Sequence, residues 1–265
     1  MNKKYKIELD FGPGRENSTG DFILKNYKYN RSENKTDVLI FTDSRGSDIK
    51  ETENSWTLRI FNFLKKIDQS VLVVVRPRNC TVFLTLLNFL NLNNLRFNYL
   101  IAQVGFVDFT PKKLELIKDI IGQKSSFFDK TRFETEKLNE YILSNRKKEN
   151  LYYINFNKKS FKEEIVKHIE KYFKSAIFIE TLEVDPEIKL KRERPVEFYN
   201  KLKETNKFLS DLHMMSKNIY YVQPSKESFY KAKFFTYDGV HYTRGTHKFI
   251  YELVKNNFKN IKGIE

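Results

Sequence analysis

Two short segments near opposite ends of the chain carry residue types that could do covalent chemistry together. The first reads Thr42-Asp43-Ser44-Arg45-Gly46 and follows the apolar run at 37–42, DVLIFT. A serine hydroxyl is a poor nucleophile alone and needs a positioned base. Gly46 is read as giving the backbone freedom to turn sharply. The second segment reads Tyr237-Asp238-Gly239-Val240-His241. Asp and His three residues apart on one loop can point the same way. The carboxylate can then hold the imidazole tautomer while the other ring nitrogen takes a proton from serine. Each segment also has a plainer reading. The serine loop fits a turn with local side-chain bonding, and an Asp-x-x-His fits a metal or capping role. Of the four histidines, His168 and His213 fall within helical patterns as surface residues, and His247 reads as structural on the last helix.

These groups need a scaffold. Apolar runs at 37–42, 71–75, 99–104, 176–180 and 219–222 read as strands. Helical patterns occupy 55–67, 81–92, 161–173, 196–215 and 243–258, and Thr110-Pro111 reads as an N-cap and first helical residue of a helix reaching Gly122. Strands alternating with helices predict β-α-β units and a parallel sheet. The strands are almost wholly apolar, as expected where helices cover both faces. The prediction is one three-layer α/β/α domain, flavodoxin-like, with a five-stranded parallel sheet, over residues 37–265. Residues 1–36 are read as an N-terminal extension, with Tyr5 to Leu9 as a candidate edge strand. Residues 123–160 are read as an insertion or small lobe with a helical stretch near 134–144. In open sheets of this kind, functional groups collect beyond the carboxyl ends of the strands. Both chemical segments fall there.

Taken together, the segments resemble the SGNH (GDSL-like) hydrolase superfamily. FTDSRG is similar to that family's first block, usually Gly-Asp-Ser, with Thr42 in place of the glycine. DGVHYTRGTHKFI is similar to its last block, and VEFYNKLKETNKFL to its penultimate helix. The likeness runs from about 37 to 258 in order and spacing. It implies Ser44 as nucleophile, His241 as general base and then acid, and Asp238 as the residue orienting the histidine. The Ser44 N–H would be one oxyanion donor. Gly105-Phe106-Val107-Asp108 corresponds to the family's Gly-x-Asn-Asp block, so Gly105 and Asp108 match, while Val107 stands where an asparagine normally donates to the oxyanion. Losing one such donor typically costs about 10²–10³ in rate. The second block, usually a glycine, falls near Arg78-Asn79-Cys80. Asn79 is either a replacement amide donor or a cap for the helix starting near Thr81. Arg45, Arg76 and Arg78, with Asp108, form the candidate substrate-binding set. The arginines either hold an anionic substrate or pair with Asp43 and Asp108.

The resemblance implies small O-acyl esters, often on carbohydrates, processed through an acyl-enzyme with water or a sugar hydroxyl as acceptor. The variant GFVD block resembles members associated with bacterial surface-polysaccharide assembly. The competing reading is a non-catalytic domain of the same fold that binds a glycan or anionic polymer, which Val107 and the altered second block favour.

Composition bounds the rest. The 265 residues carry a net charge of +14, with 40% hydrophobic and 15% aromatic residues. The lysines are spread along the chain, and the tightest basic cluster is Lys189, Lys191, Arg192 and Arg194. It suits an anionic partner or a solvated surface. A single cysteine, Cys80, excludes an internal disulfide framework. The N-terminal segment lacks a secretory apolar region, and no run approaches the roughly 20 apolar residues of a membrane span. The expectation is a soluble cytoplasmic protein. A phosphate-binding Walker loop, a dinucleotide fingerprint and a Cys/His zinc set are missing from the sequence, so neither cofactor nor metal is expected. A nucleic-acid partner is not expected either, because a helix-covered sheet offers no exposed aromatic face.

Overall fold

The computed structural model describes residues 22–25, 35–46, 54–75, 83, 86–87, 90, 96–121, 142–144, 150–154, 156–182, 196–226, 236 and 241–264. The main sheet has six strands: β1 (Phe22–Lys25), β2 (Lys35–Thr42), β3 (Val71–Val75), β4 (Arg96–Gln103), β8 (Ser175–Ile179) and β9 (Ile219–Val222), in the order β1-β3-β2-β4-β8-β9. The five strands from β3 to β9 in that order run parallel, and β1 joins the edge antiparallel, Phe22 opposite Val75 and Lys25 opposite Leu72. A smaller antiparallel sheet has the order β5-β7-β6, formed by β5 (Lys112–Lys113), β6 (Ile142–Ser144) and β7 (Leu151–Ile154).

Among the described residues, the helices with defined bounds are α1 (Trp56–Lys66), α2 (Leu114–Ile121), α3 (Lys159–Tyr172), α4 (Val196–Met215) and α5 (Arg244–Lys262). The alternation hidden in the apolar strands decides which face each covers. Val38 and Ile40 of β2 pack with Trp56, Ile60 and Leu64 of α1 and with Ile250, Val254 and Phe258 of α5. Leu39 and Phe41 point the other way, into a cluster holding Phe161 and Ile165 of α3, Phe208 and Leu212 of α4, and the helical residues Phe83, Leu86, Leu87 and Leu90. This is the three-layer α/β/α arrangement. Right-handed crossovers explain the sorting. The connection from β2 outward to β3 places α1 on one face, and the connections running back toward β9 place their helices on the other. The crossovers diverge between β2 and β4, which is where such sheets put their sites.

Three differences from the sequence reading have physical reasons. Residues 22–25 belong to the sheet, although everything before residue 37 reads as an extension. Only four residues pair, and their partner lies about 50 positions away. The candidate edge strand at Tyr5 to Leu9 lies outside the described residues. Within the expected insertion, Ile142–Ser144 is a strand rather than the end of a helix, because β7 supplies a partner that local periodicity does not reveal. Thr110 does not cap a helix. Its Oγ1 donates to the Val107 carbonyl at 2.6 Å, and the next residues enter β5 before α2 begins. The nearly buried Lys112 ammonium donates to the carbonyls of Val107, Asp108 and Thr110, which holds this segment as a turn. Among the described residues, no helix is long and apolar enough to cross a membrane.

The amino ends of the central strands are locked by Asp37. One carboxylate oxygen accepts from the Ser70 N–H at 2.9 Å and hydroxyl at 2.8 Å, and the other accepts from Asn98 Nδ2 at 3.1 Å. Burial pushes the carboxyl pKa up, but the bonds from Ser70 and Asn98 and the Lys262 charge together hold it below the usual range. The ionised form is therefore favoured in the folded state. Its stabilisation is present above the ordinary carboxylate pKa and is lost as pH falls through the lowered folded value. Asp37→Ala should cost about 2–3 kcal/mol at pH 7, as for hydrogen bonds to a charged group. The gap to wild type should narrow below about pH 4, where the unfolded carboxyl protonates. Denaturant unfolding at the two pH values measures both, and a gap independent of pH would show that the carboxylate charge is not involved.

Candidate active site

In the β-sheet register, Thr42 lies opposite Val75 on one side and Gln103 on the other, so three strands end level. The chain leaves β2 in a single 3-10 turn, Ser44–Gly46. Asp43 continues the ladder by donating its N–H to the Gln103 carbonyl at 3.1 Å, and its carboxylate accepts the Arg45 N–H at 2.9 Å. The Gly46 N–H donates to the Asp43 carbonyl at 3.1 Å, and the Gly46 carbonyl accepts from the Thr57 hydroxyl at 2.7 Å. Asp43, Arg45 and Gly46 are buried, and Ser44 alone of the four keeps partial exposure. The glycine is needed for close approach rather than for conformational freedom. A Cβ at Gly46 would sit 1.9 Å from the Thr42 Oγ1, and Gly46 has no left-handed φ.

His241 is partly exposed and directly precedes Tyr242 and Thr243. Thr236 and Tyr242 form an antiparallel bridge. Thr243 caps α5, its Oγ1 accepting from the Thr246 N–H at 3.3 Å. The histidine is thus bracketed by a backbone bridge and a helix start. Asp238 lies outside the described residues, as do Arg76, Arg78 and Asn79.

Arg45 brings the segments together. Its guanidinium lies 4.2 Å from the Phe106 ring centroid and 5.5 Å from that of Tyr242. The neighbour of Ser44 therefore touches the neighbour of His241 and the loop after β4. Tyr242 is 1% exposed, and its Oη accepts from Gln103 Nε2 at 2.6 Å. Gln103 Oε1 accepts from Trp56 Nε1 at 3.2 Å. The Trp56 backbone N–H, an orphan donor of the first turn of α1, donates to His247 Nδ1 at 3.3 Å. His247 is fully buried and meets the Tyr242 ring edge-on, with centroids 5.7 Å apart.

The loop after β4 departs from a donor-rich design. Gly105 has φ +109°, and its carbonyl accepts from the Asp108 N–H and the Thr205 hydroxyl, each at 3.1 Å. A Cβ there would meet the Thr205 methyl at 2.9 Å. Val107 packs against the apolar core and has no polar side-chain atom. Asp108 is fully buried, with Oδ1 accepting the Phe83 N–H at 2.6 Å. Burial raises its pKa to about 7, against the opposing pull of the Lys112 charge and the Phe83 N–H, with the Asp43 charge adding to the rise. Arg45 and Asp108, expected among the substrate-binding residues, thus have no accessible surface to offer a substrate: one is spent on two rings and the other on the Phe83 N–H.

Several supporting residues escape the sequence reading. Gln103 and Trp56 form the link just described. Asn206 of α4 bonds Thr181 twice, accepting its N–H at 2.9 Å and donating to its carbonyl at 2.8 Å. Glu180 accepts from the Ser225 N–H at 2.8 Å and hydroxyl at 2.7 Å, joining the loops after β8 and β9. Gln103 carried a visible signal, as the one amide side chain within the otherwise apolar run at 99–104. The others had none, because their partners are distant in sequence.

The fold and rim define a parallel α/β sheet protein with a serine turn at its topological switch point and a histidine loop beside it. No known family's sequence profile matches the chain, and no curated protein matches it. Among solved structures, the chain is similar to LAE5, an α/β hydrolase enzyme from the metagenome of Lake Arreo, Spain, at 11% identity, covering 83% of this chain and 94% of that one, with a TM-score of 0.49. It is similar to a GDSL-like lipase from Bacteroides thetaiotaomicron at 13% identity, covering 89% and 93%, with a TM-score of 0.46. It is also similar to a catalytic mutant of an acetylxylan esterase from Geobacillus stearothermophilus at 10% identity, covering 87% and 95%, with a TM-score of 0.47.

The raised pKa of Asp108 makes a stability statement. The folded state holds the proton up to about pH 7, whereas the unfolded chain releases it near 4. The contribution is fully present below the unfolded value and falls away as pH rises to about 7. Asn in its place keeps an acceptor for the Phe83 N–H and removes the buried charge. Asp108→Asn should therefore change stability little at about pH 4 and raise it by about 1–3 kcal/mol at pH 8. Thermal unfolding at both pH values tests this, and equal effects at both would show that the carboxyl titrates elsewhere.

Proposed function

We propose that the protein is a serine esterase or O-acyltransferase acting on small acyl esters, acetyl foremost, of a carbohydrate or other small molecule. Ser44 Oγ attacks the ester carbonyl while His241 takes its proton and Asp238 orients the imidazole. The tetrahedral oxyanion receives the N–H groups of Ser44 and Gly105 and the Asn79 amide. Collapse expels the alcohol, which takes the proton from His241 and leaves the acyl group on Ser44. Water or a sugar hydroxyl, deprotonated by His241, then attacks the acyl-enzyme and releases the serine.

The observation that carries this reading is the contact of Arg45 with Tyr242, since it brings the immediate neighbours of Ser44 and His241 together at the carboxyl ends of the strands. The partial exposure of both Ser44 and His241 amid buried neighbours supports it. The motif resemblance supports the ester chemistry, and the variant GFVD block supports a glycan of the bacterial surface or its precursor. A second reading, a non-catalytic domain binding a glycan or anionic polymer, is favoured by the packing of Val107 into the apolar core.

A fluorophosphonate should label wild type at Ser44, and an acetyl-ester screen should find turnover that Ser44→Ala reduces by at least about 10³-fold. Absence of both labelling and turnover would favour the binding reading. Asn79→Ala should lower turnover by about 10²-fold with KM little changed, because the oxyanion forms only in the transition state. Unchanged turnover would remove Asn79 from the site.

A further inference from the structure

We propose that Gln103 and Tyr242 act as a positioning pair that fixes His241 in front of Ser44. The inference rests on the reading of His241 as the base and goes beyond it to the residues that hold it.

The need is geometric. A general base works only within about 0.5 Å of its productive position, yet His241 sits on a loop rather than on a helix or strand. Something rigid must reference that loop to the nucleophile. Gln103, the last residue of β4, is bonded to both. Its backbone carbonyl accepts the Asp43 N–H at 3.1 Å, one residue before Ser44. Its side-chain Nε2 donates to Tyr242 Oη at 2.6 Å, one residue after His241. The nucleophile turn and the base loop are thereby measured from the same residue of a buried strand.

The orientation of the Gln103 amide is determined by its neighbours. Indole N–H is a donor only, so the group facing Trp56 Nε1 must be the amide oxygen. That leaves Nε2 toward Tyr242, whose hydroxyl accepts. A reversed amide would set two donors against each other. Tyr242 has little room to move once bonded. Arg45 lies against its ring, His247 meets it edge-on, and its backbone bridges Thr236. Substrate contact is not available to either residue, since Gln103 is fully buried and Tyr242 nearly so. Their effect on chemistry passes through His241.

The test compares full-length wild type with Tyr242→Phe, Gln103→Leu and the double variant. Tyr242→Phe keeps the ring against Arg45 and His247 and removes only the hydroxyl, so the fold should survive, as near-UV circular dichroism would report. Each single variant should lower kcat by about 10- to 100-fold with KM within about threefold, the scale of a base displaced by a fraction of an ångström to an ångström. The double variant should fall well short of the product of the two single effects, because both remove the Gln103–Tyr242 bond, while Gln103→Leu also removes the bond from Trp56. The ¹⁵N and ¹H signals of the His241 ring should shift or broaden in every variant. Unchanged kcat, or a fall in kcat only in proportion to the folded fraction, overturns the proposal. If wild type shows neither turnover nor fluorophosphonate labelling, the hydrolase reading fails by itself. The His241 ring signals then decide the positioning role alone: displaced signals support it and unmoved signals overturn it.

Discussion

Three parallel strands ending level is the constraint on which the rim depends. Thr42 is held between Val75 and Gln103, both buried on the sheet face that α1 and α5 cover. A one-residue slip in β2 would send Val38 and Ile40 toward α3 and α4, and Leu39 and Phe41 toward α1 and α5. Apolar packing on both faces therefore fixes the register, and the register fixes where Ser44 emerges. Gln103 extends the same constraint beyond the sheet, with its carbonyl on the Asp43 turn and its amide on Tyr242.

Charge is buried close to this rim, and each charge is handled differently. Lys112 is surrounded by carbonyl oxygens of its own turn. Burial pushes the Asp108 carboxyl up to about 7 against the pull of Lys112 and the Phe83 N–H. Arg45 has no accessible surface and is set against two aromatic rings, an arrangement that recovers about 2 kcal/mol or more when desolvated. A well-packed apolar side chain would commonly be as stable or more so at such a place. What the arginine adds is reach: a planar group long enough to touch the loop after β4 and the loop before α5 at once. Val107, at the same rim, packs against the apolar core and offers no polar side-chain atom.

Legibility in the sequence followed the range of the interactions. The strands at 71–75 and 219–222 and the helix at 196–215 were readable to the residue, because their signals are local: apolar runs, helical periodicity and the breaks that end them. Phe22–Lys25 and Ile142–Ser144 were not, since each is a strand only by virtue of a partner elsewhere. Gly46 was singled out for the right place and the wrong reason. Its lack of a side chain matters because Thr42 folds back on it, a contact absent from any local backbone preference.

From the sequence alone came the residue types able to do chemistry, their order along the chain and the parallel α/β scaffold carrying them. Periodicity and chain order are local properties, and a serine before a helix or an Asp-x-x-His before the last one can be seen without coordinates. Only the tertiary structure decided that Arg45 and Asp108 are interior groups, that Gln103 references two loops to one strand, and that His247 joins the starts of α1 and α5. Burial and hydrogen-bond partnership depend on which distant segments meet. Between Trp56 and His247 that separation is 191 residues, and no local pattern in the chain encodes it.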